Sequence, residues 1–343
     1  MNKNTVFSKL STTLRKHPFA TAFVAISILA PIVVTSSYWQ RLIVEIFFFG
    51  TLACAWNIIG GYARQTSWAH SAFFAAGGYS GALMFMNLGI SPWVGMLVGC
   101  AISAILAVII GMPTFKLRGI YFAIATIACA TIVERLMLYF NEFTGGAKGI
   151  VLKASQNYSF LTLNFKNEIP YYYIALVLMF SAIFICWLIE HTRMGFYLKA
   201  IRDDQDAAES LGIFTYRIKL IAFIISAVLT AITGTIYVFH LRYVEPVAVA
   251  SHDVAVKIGM TAIIGGLGTT WGPIMGAVIT VVLLQLANSY FGSIGGGGLA
   301  WIIYGAVIIL FVLFQPGGLI ALVEKILKFI KRKLNIRTEL PVK

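Results

Sequence analysis

Charge is scarce in this chain. Of its 343 residues only 11% are Asp, Glu, Lys or Arg, and acids are the rarer kind, 13 against 26 Lys and Arg. A water-soluble domain carries about 25% charged residues, so a fold with an aqueous surface all round is excluded. Cysteine is limited to Cys54, Cys100, Cys129 and Cys186, each inside an apolar run. Such placement fits small buried hydrophobes and neither a disulfide framework nor a zinc site. The five histidines (His17, His70, His191, His240, His252) are scattered and form no His-Glu-x-x-His pair, so no metal site is expected. No Gly-x-x-x-x-Gly-Lys-Ser/Thr loop occurs, which removes that route to ATP. Long polar stretches are missing as well. The longest lie at 141–170 and 190–219, and neither could bury a core of its own.

What is abundant is apolar length. The chain is 59% hydrophobic with a mean hydropathy of +0.86. A helix needs roughly 20 apolar residues to cross the hydrocarbon core. Candidate runs fall at 19–40, 42–60, 71–90, 92–112, 119–140, 171–189, 220–240, 254–267, 272–291 and 299–315, and seven of these ten contain no Asp, Glu, Lys or Arg. Tyr38, Trp39, Trp93, Tyr139, Tyr171 to Tyr173 and Tyr290 stand at run ends, where an interfacial belt would sit. The expected architecture is all-α, a polytopic transmembrane helical bundle of about ten spans. The run 254–267 is short and carries Lys257, so a re-entrant helix competes with a span there. A basic start followed by an apolar run also resembles a signal peptide, but 19–40 is long for one and no clear cleavage site follows. It is read as an uncleaved first span.

The cations set the orientation. With the N-terminus inside, the inner segments hold Lys3, Lys9, Arg15, Lys16, Arg64, Lys116, Arg118, Arg193, Lys199, Arg202, Arg217 and Lys219. The tail adds Lys325, Lys328, Lys331, Arg332, Lys333, Arg337 and Lys343. Nineteen of the 26 then face the cytoplasm, so both termini are expected there. Losing one span would put the basic tail outside, which favours counting 254–267 as a span.

Few residues carry candidate chemistry. Gly78-Tyr79-Ser80-Gly81 resembles the serine motif of an intramembrane protease, with His240 as a distant base. Against that, Gly77 and Gly81 form a small-x-x-x-small pair, repeated by Gly95 and Gly99, and close helix packing is the stronger reading. Glu45, Glu134 and Arg135 lie at membrane depth near helix ends and read as anchors. Asp253 and Lys257 are spaced i, i+4, which suits an ordinary helical ion pair. Carboxylates deep in the bundle, which proton or sodium coupling would want, are few.

The inner loop 190–219 is richer. Asp203, Asp204 and Asp206 favour the start of a short helix, Gly212 is a natural stop, and Ala207, Ala208 and Leu211 supply a small apolar face. Such an element is either a docking helix for another protein or a self-capping polar connector. Gly265, Gly266, Gly268, Gly272 and Gly276 with Pro273 either break helices at membrane depth or make a plain turn between spans. Gly295 to Gly298 reads as a flexible outer loop.

A resemblance gives these segments a context. Lys199-Ala200-Ile201-Arg202-Asp203-Asp204, with Ala207-Ala208 and Leu211-Gly212-Ile213, resembles the cytoplasmic coupling segment of LivM-type permeases. Those are membrane subunits of ABC importers for branched-chain amino acids. Four other stretches agree in order: Gly61-Tyr62-Ala63-Arg64-Gln65-Thr66-Ser67 with His70-Ser71-Ala72-Phe73-Phe74; Leu117-Arg118-Gly119-Ile120-Tyr121-Phe122-Ala123-Ile124-Ala125-Thr126; Thr144-Gly145-Gly146-Ala147-Lys148-Gly149; and Gly265-Gly266-Leu267-Gly268-Thr269-Thr270-Trp271-Gly272-Pro273. The similarity covers about 42–320. It departs at Arg64, where the family usually has Gly, and at Trp68, where a smaller aliphatic is common.

The resemblance implies a permease domain over 19–315 with its coupling loop at 190–219. It is flanked by a cytoplasmic segment 1–18 and a basic cytoplasmic tail 316–343. The ATPase-coupling residues would be Arg202, Asp203, Asp204, Asp206, Ala208, Glu209, Leu211 and Gly212. The substrate pathway would include Gln65, Ser67, Gly145, Gly146, Gly266 and Gly268. Implied partners are a second, LivH-like permease, two cytoplasmic ABC ATPases and a periplasmic or lipid-tethered amino-acid-binding protein, with no nucleic acid. ATP and magnesium would belong to the ATPases, leaving this chain without cofactor or enzymatic activity in a bacterial inner membrane. Permeases for urea, short amides or other amino acids resemble the same pattern. A self-contained secondary transporter is the remote alternative.

Overall fold

A computed structural model describes residues 27–31, 34, 36–152, 159–291, 298–315, 317–322 and 325. Among them the chain is nearly all helix. The elements are α1 Ser37–Gly60, α2 His70–Leu88, α3 Pro92–Thr114, α4 Ile120–Tyr139, α5 Asn141–Thr144, α6 Ile169–Glu190, α7 Arg193–Asp203, α8 Gln205–Ser210, α9 Thr215–Leu241, α10 Pro246–Ala250, α11 His252–Gly265, α12 Gly272–Phe291 and α13 Gly298–Phe314. Two short strands, β1 Ile150–Val151 and β2 Tyr243–Val244, pair antiparallel with Ile150 opposite Val244. The N-terminal segment 1–18, the start of the first run, Gly295 to Gly297 and the tail beyond Lys325 lie outside the described residues.

Among the described residues seven stretches are long and apolar enough to cross a membrane: α1, α3, α4, α6, α9, α10 with α11 taken together, and α12 as far as Tyr290. The chain is therefore a multi-pass helical membrane protein. At 17 residues α13 is shorter. His70, Ser71, Ser80 and three glycines dilute the apolar content of α2. Among the described residues, nine of the ten runs read from the sequence hold the long helices, and the first run is helical at 27–31. The first run needs correction, because residues 37–40 belong to α1. Gln40 donates from Nε2 back to Val34 O (2.9 Å), just before the start of α1.

The bundle is built around α1 and α9. Burial covers 83% of the most apolar stretch of α1 but only 17% of that of α4, which leaves α4 at the periphery. One side of the bundle packs α9 against α2 and α3; the other packs α1 against α6, α11 and α12. Glycine permits the first of these contacts. A Cβ on Gly77 would lie 2.0 Å from Ala231 O, and one on Gly99 would lie 2.9 Å from Gly77 Cα. Thr235 Oγ1 then donates to Gly77 O (2.8 Å), an interhelical bond worth about 0.6–2 kcal/mol in a membrane. The glycine repeats thus serve packing. Ser80 donates to Ala76 O within its own helix, and His240 faces Glu168, so Ser80 and His240 do not pair.

Candidate functional site

Two ends of the bundle carry the polar residues. At one end α6 finishes at Glu190, and the chain turns back immediately into α7. Gly195 allows that turn, since a Cβ there would meet Ile189 O at 2.2 Å. Helix α7 buries Gly195, Leu198 and Ile201 and exposes Phe196. Asp204 caps α8: its Oδ1 accepts from the amides of Asp206 (2.8 Å) and Ala207 (3.0 Å). These are backbone donors that a helix start otherwise leaves unpaired. Gly212, with φ +82°, ends the element.

This arrangement sharpens two expectations and corrects one. The short helix exists, and Asp204 and Gly212 bound it. Asp203, however, is the last residue of α7 and does not start α8. Of the proposed apolar face, only Ala208 is buried, whereas Ala207 and Leu211 point to solvent. A six-residue helix buries a single column of side chains, and here that column contains one alanine.

The element is fastened by polar side chains. Glu190 Oε1 pairs with Lys199 Nζ (3.2 Å), and its Oε2 accepts from Thr270 Oγ1 (2.6 Å). Arg202 lies beside Gly268, where a Cβ would sit 3.1 Å from its Nη1. Gly268 and Thr269 are held in turn by Asn57 of α1: Asn57 Nδ2 donates to Thr269 O (2.9 Å), and Gly268 N donates to Asn57 Oδ1 (2.9 Å). Gly266 and Gly268 adopt φ +125° and +70°, so the segment after α11 is a glycine turn pinned to α1. Arg118, just before α4, grips Asp206 through both oxygens (2.8 and 2.6 Å). Its guanidinium holds the Asp206 carboxyl below the usual carboxylate range, while the hydroxyl of Thr215 lowers that of Glu209. Lys219, fully buried at the start of α9, donates to Gln205 Oε1 (3.0 Å). One small element is thereby joined to α6, α9, the start of α4 and the α11–α12 turn, and through that turn to α1.

The expected pathway residues do not form one cluster. Gly266 and Gly268 are at the α7–α8 end. Gln65 donates from its amide to Ile59 O (3.1 Å), near the end of α1. Ser67 is buried, and its carbonyl accepts from Trp56 Nε1 (2.6 Å). Gly145 and Gly146 lie at the opposite end, where φ values of +74° and +54° shape a turn beside α2, whose Tyr79 hydroxyl donates to Thr144 O (3.2 Å). Both departures from the family pattern are accommodated locally. Arg64 takes φ +55°, a conformation glycine adopts without strain, and its side chain is exposed. The large ring of Trp68 fits because Gly259 on α11 leaves room, a Cβ there falling 2.8 Å from it.

At that opposite, β1–β2 end, Glu168 bridges two helices. Its Oε1 accepts from Arg41 Nε of α1 (2.7 Å), and its Oε2 lies 3.0 Å from His240 Nε2 of α9. The His240 hydrogen bond, seconded by Arg41, pulls the Glu168 carboxyl down to about 2. A cavity of about 270 Å³ opens here, lined by Arg41, Lys166, Glu168, Tyr171, His240 and Arg242 among others.

Within the bundle, Lys257 does not pair with Asp253, which is exposed. It reaches across to Glu45 of α1 (Nζ–Oε1 3.0 Å) and rests 3.7 Å from the Phe49 ring centroid. Burial favours this correction, because Lys257 is largely buried at the α1–α11 interface while Asp253 is exposed. Glu134 and Arg135, on peripheral α4, make no ion pair among the described residues. Sequence reasoning passed over Asn57, Glu190 and Thr270. Their only signal was a polar residue at the edge of an apolar run.

Comparison with known proteins agrees with this arrangement. Residues 38–312 match the family described as "Branched-chain amino acid transport system / permease component". The chain is 25% identical to the high-affinity branched-chain amino acid transport system permease protein LivM of Salmonella typhimurium, covering 92% of this chain and 78% of that one. It is 22% identical to the probable branched-chain amino acid transport permease protein LivH of Methanocaldococcus jannaschii, covering 72% and 78%. It is also 30% identical to the ribose import permease protein RbsC of Escherichia coli, over 36% of this chain and 39% of that one. No solved structure matches. The LivM-like match runs nearly end to end and the family match spans all nine bundle helices, so the chain belongs to the permease components of branched-chain amino acid transport systems.

Proposed function

We propose that this chain is the LivM-like half of an ATP-driven importer for leucine, isoleucine and valine in a bacterial inner membrane. The observation that carries the reading is the α7–α8 element, a small pair of helices with one side exposed, tied by side chains to α6, α9, the start of α4 and the α11–α12 turn. In this reading the α7–α8 end is cytoplasmic and the β1–β2 end is outside. The chain crosses ten times, with α2, α13 and an N-terminal span added to the seven long apolar stretches, and both termini are inside.

Arg202, Asp203, Asp204, Asp206, Ala208, Glu209, Leu211 and Gly212 form the contact for two partner ATPases, to which ATP and magnesium belong. A push on α8 passes through Glu190–Thr270 and Arg202 to the Gly266–Gly268 turn, and through Asn57 to α1. The helices then rock between outward and inward access. A substrate biases that equilibrium only by its difference in affinity for the two states. A LivH-like permease completes the pathway, and a binding protein delivers the amino acid to the β1–β2 end. Gln65, Ser67, Gly145, Gly146, Gly266 and Gly268 line or shape that pathway in this reading.

The test is leucine uptake by proteoliposomes holding this chain with its neighbouring permease, ATPases and binding protein. ATP-dependent uptake that isoleucine and valine compete away is the expected result. ATP-dependent uptake of urea or an amide in place of leucine would keep the machine and replace the cargo. Leucine uptake by this chain alone without ATP would overturn the importer assignment.

A further inference from the structure

The Glu45–Lys257 pair is an unusual tie between helices. Both residues lie within membrane-spanning helices, where charged side chains are costly and mark functional sites by default. The pair is also incompletely satisfied. Lys257 Nζ has three protons to donate, and Glu45 Oε1 is its one hydrogen-bond acceptor among the described residues, the Phe49 ring taking another side. Glu45 Oε2 accepts no hydrogen bond among the described residues, and the Glu45 side chain keeps 32% of its surface accessible. A tie built only for stability would close those valences or replace the charges with apolar residues of similar size.

The surroundings lead outward from the pair. Arg41 stands one helical turn before Glu45 on α1, at the rim of the cavity of about 270 Å³. Phe48 touches both His240, in the cavity wall (ring centroids 5.7 Å apart), and Tyr237 (5.5 Å). Tyr237 in turn lies against Phe49, beneath Lys257 (6.5 Å). Charge therefore alternates along this face of α1, from Arg41 with Glu168 at the rim to Glu45 with Lys257 deeper in, with aromatic rings between.

We propose that Glu45 and Lys257 form a recognition station for a zwitterion in transit. The unused oxygen of Glu45 takes the substrate's α-ammonium, the free donors of Lys257 take its α-carboxylate, and the Phe49 and Tyr237 rings face the aliphatic side chain. This assignment rests on the amino-acid import reading above and adds the residues that distinguish a free amino acid from an uncharged solute inside the membrane.

The experiment uses the complete reconstituted transporter carrying Glu45→Gln with Lys257→Met. That double variant removes both charges without stranding either. Leucine uptake and binding-protein-stimulated ATPase activity are measured in parallel, with the thermal midpoint in detergent as the check on folding. Uptake is expected to fall at least about tenfold while stimulated ATPase stays within about twofold, the pattern for loss of two charge-assisted contacts to the cargo. Uptake within about twofold of the unsubstituted transporter would overturn the proposal, since a dispensable tie tolerates a neutral pair. So would equal loss of uptake and ATPase activity, which marks a structural role. Should the double variant fail to fold, Lys257→Arg keeps the ion pair and carries the test. A loss of uptake of about threefold or more at unchanged ATPase activity supports the station, and full uptake overturns it. If the unsubstituted transporter does not take up leucine at all, the import reading fails first, and the two failures stay distinct.

Discussion

The two ends of the bundle are held differently. At the β1–β2 end, a carboxylate and a phenol reach across elements far apart in sequence. Glu168 joins α1 to α9, and Tyr171 donates to Phe239 O (3.0 Å). Arg242 donates to Phe165 O (2.7 Å), and β1 pairs with β2. At the α7–α8 end the outermost helix has six residues and is fastened on its exposed side by the solvated Arg118–Asp206 pair. Its firmer anchors lie one layer down, at Asn57, Glu190 and Thr270. A frame is locked at one end, and at the other a light element stands on a pinned glycine turn.

Four substitutions break or sharpen that contrast, taken from the largest expected effect. Asn57→Ala leaves Gly268 N and Thr269 O without partners in a part-buried turn and should cost about 2–4 kcal/mol. A drop in the thermal midpoint in detergent no larger than that of Glu168→Gln would erase the distinction between pinned turn and locked frame.

Glu168→Gln is expected to give a smaller loss at neutral pH and a distinctive acid response. The folded carboxyl sits at about 2, below its usual 4.5. Its contribution is therefore fully present above 4.5 and disappears as pH falls toward about 2. Thermal midpoints of the unsubstituted protein should decline across that window relative to those of the Gln variant. Parallel curves would show that the carboxylate does not lock this end.

Asp204→Ala removes the cap of α8, worth about 1 kcal/mol. Amide exchange at 205–210 should quicken while β1 and β2 are unchanged. Arg118→Ala should leave the melting profile where it is, because exposed pairs contribute little and are screened by salt. A large shift there would mean that α8 is part of the frame.

Much of the architecture was legible before any coordinates. Apolar length located nine bundle helices, and the spacing of Gly77, Gly81, Gly95 and Gly99 foretold close packing. Asp204 and Gly212 marked the ends of α8. Errors fell where a neighbour in space outranked a neighbour in sequence. Asp253 is four residues from Lys257, yet Glu45 is the partner. The start of α1 was misplaced because Arg41 was read as a break, when it is a helical residue whose charge is answered by Glu168.

What the sequence by itself determined is the sum of local terms. Hydropathy adds along a helix, caps act within one turn, and together these decide that the chain is a membrane-spanning helical bundle with a short capped element on one loop. What only the tertiary structure decided is pairing: Asn57 with the Gly268 turn, Glu190 with Thr270, Lys257 with Glu45. Pairing depends on the depth and rotation at which two helices meet, and a rotation of about 100° per residue makes a one-residue slip enough to exchange one partner for another.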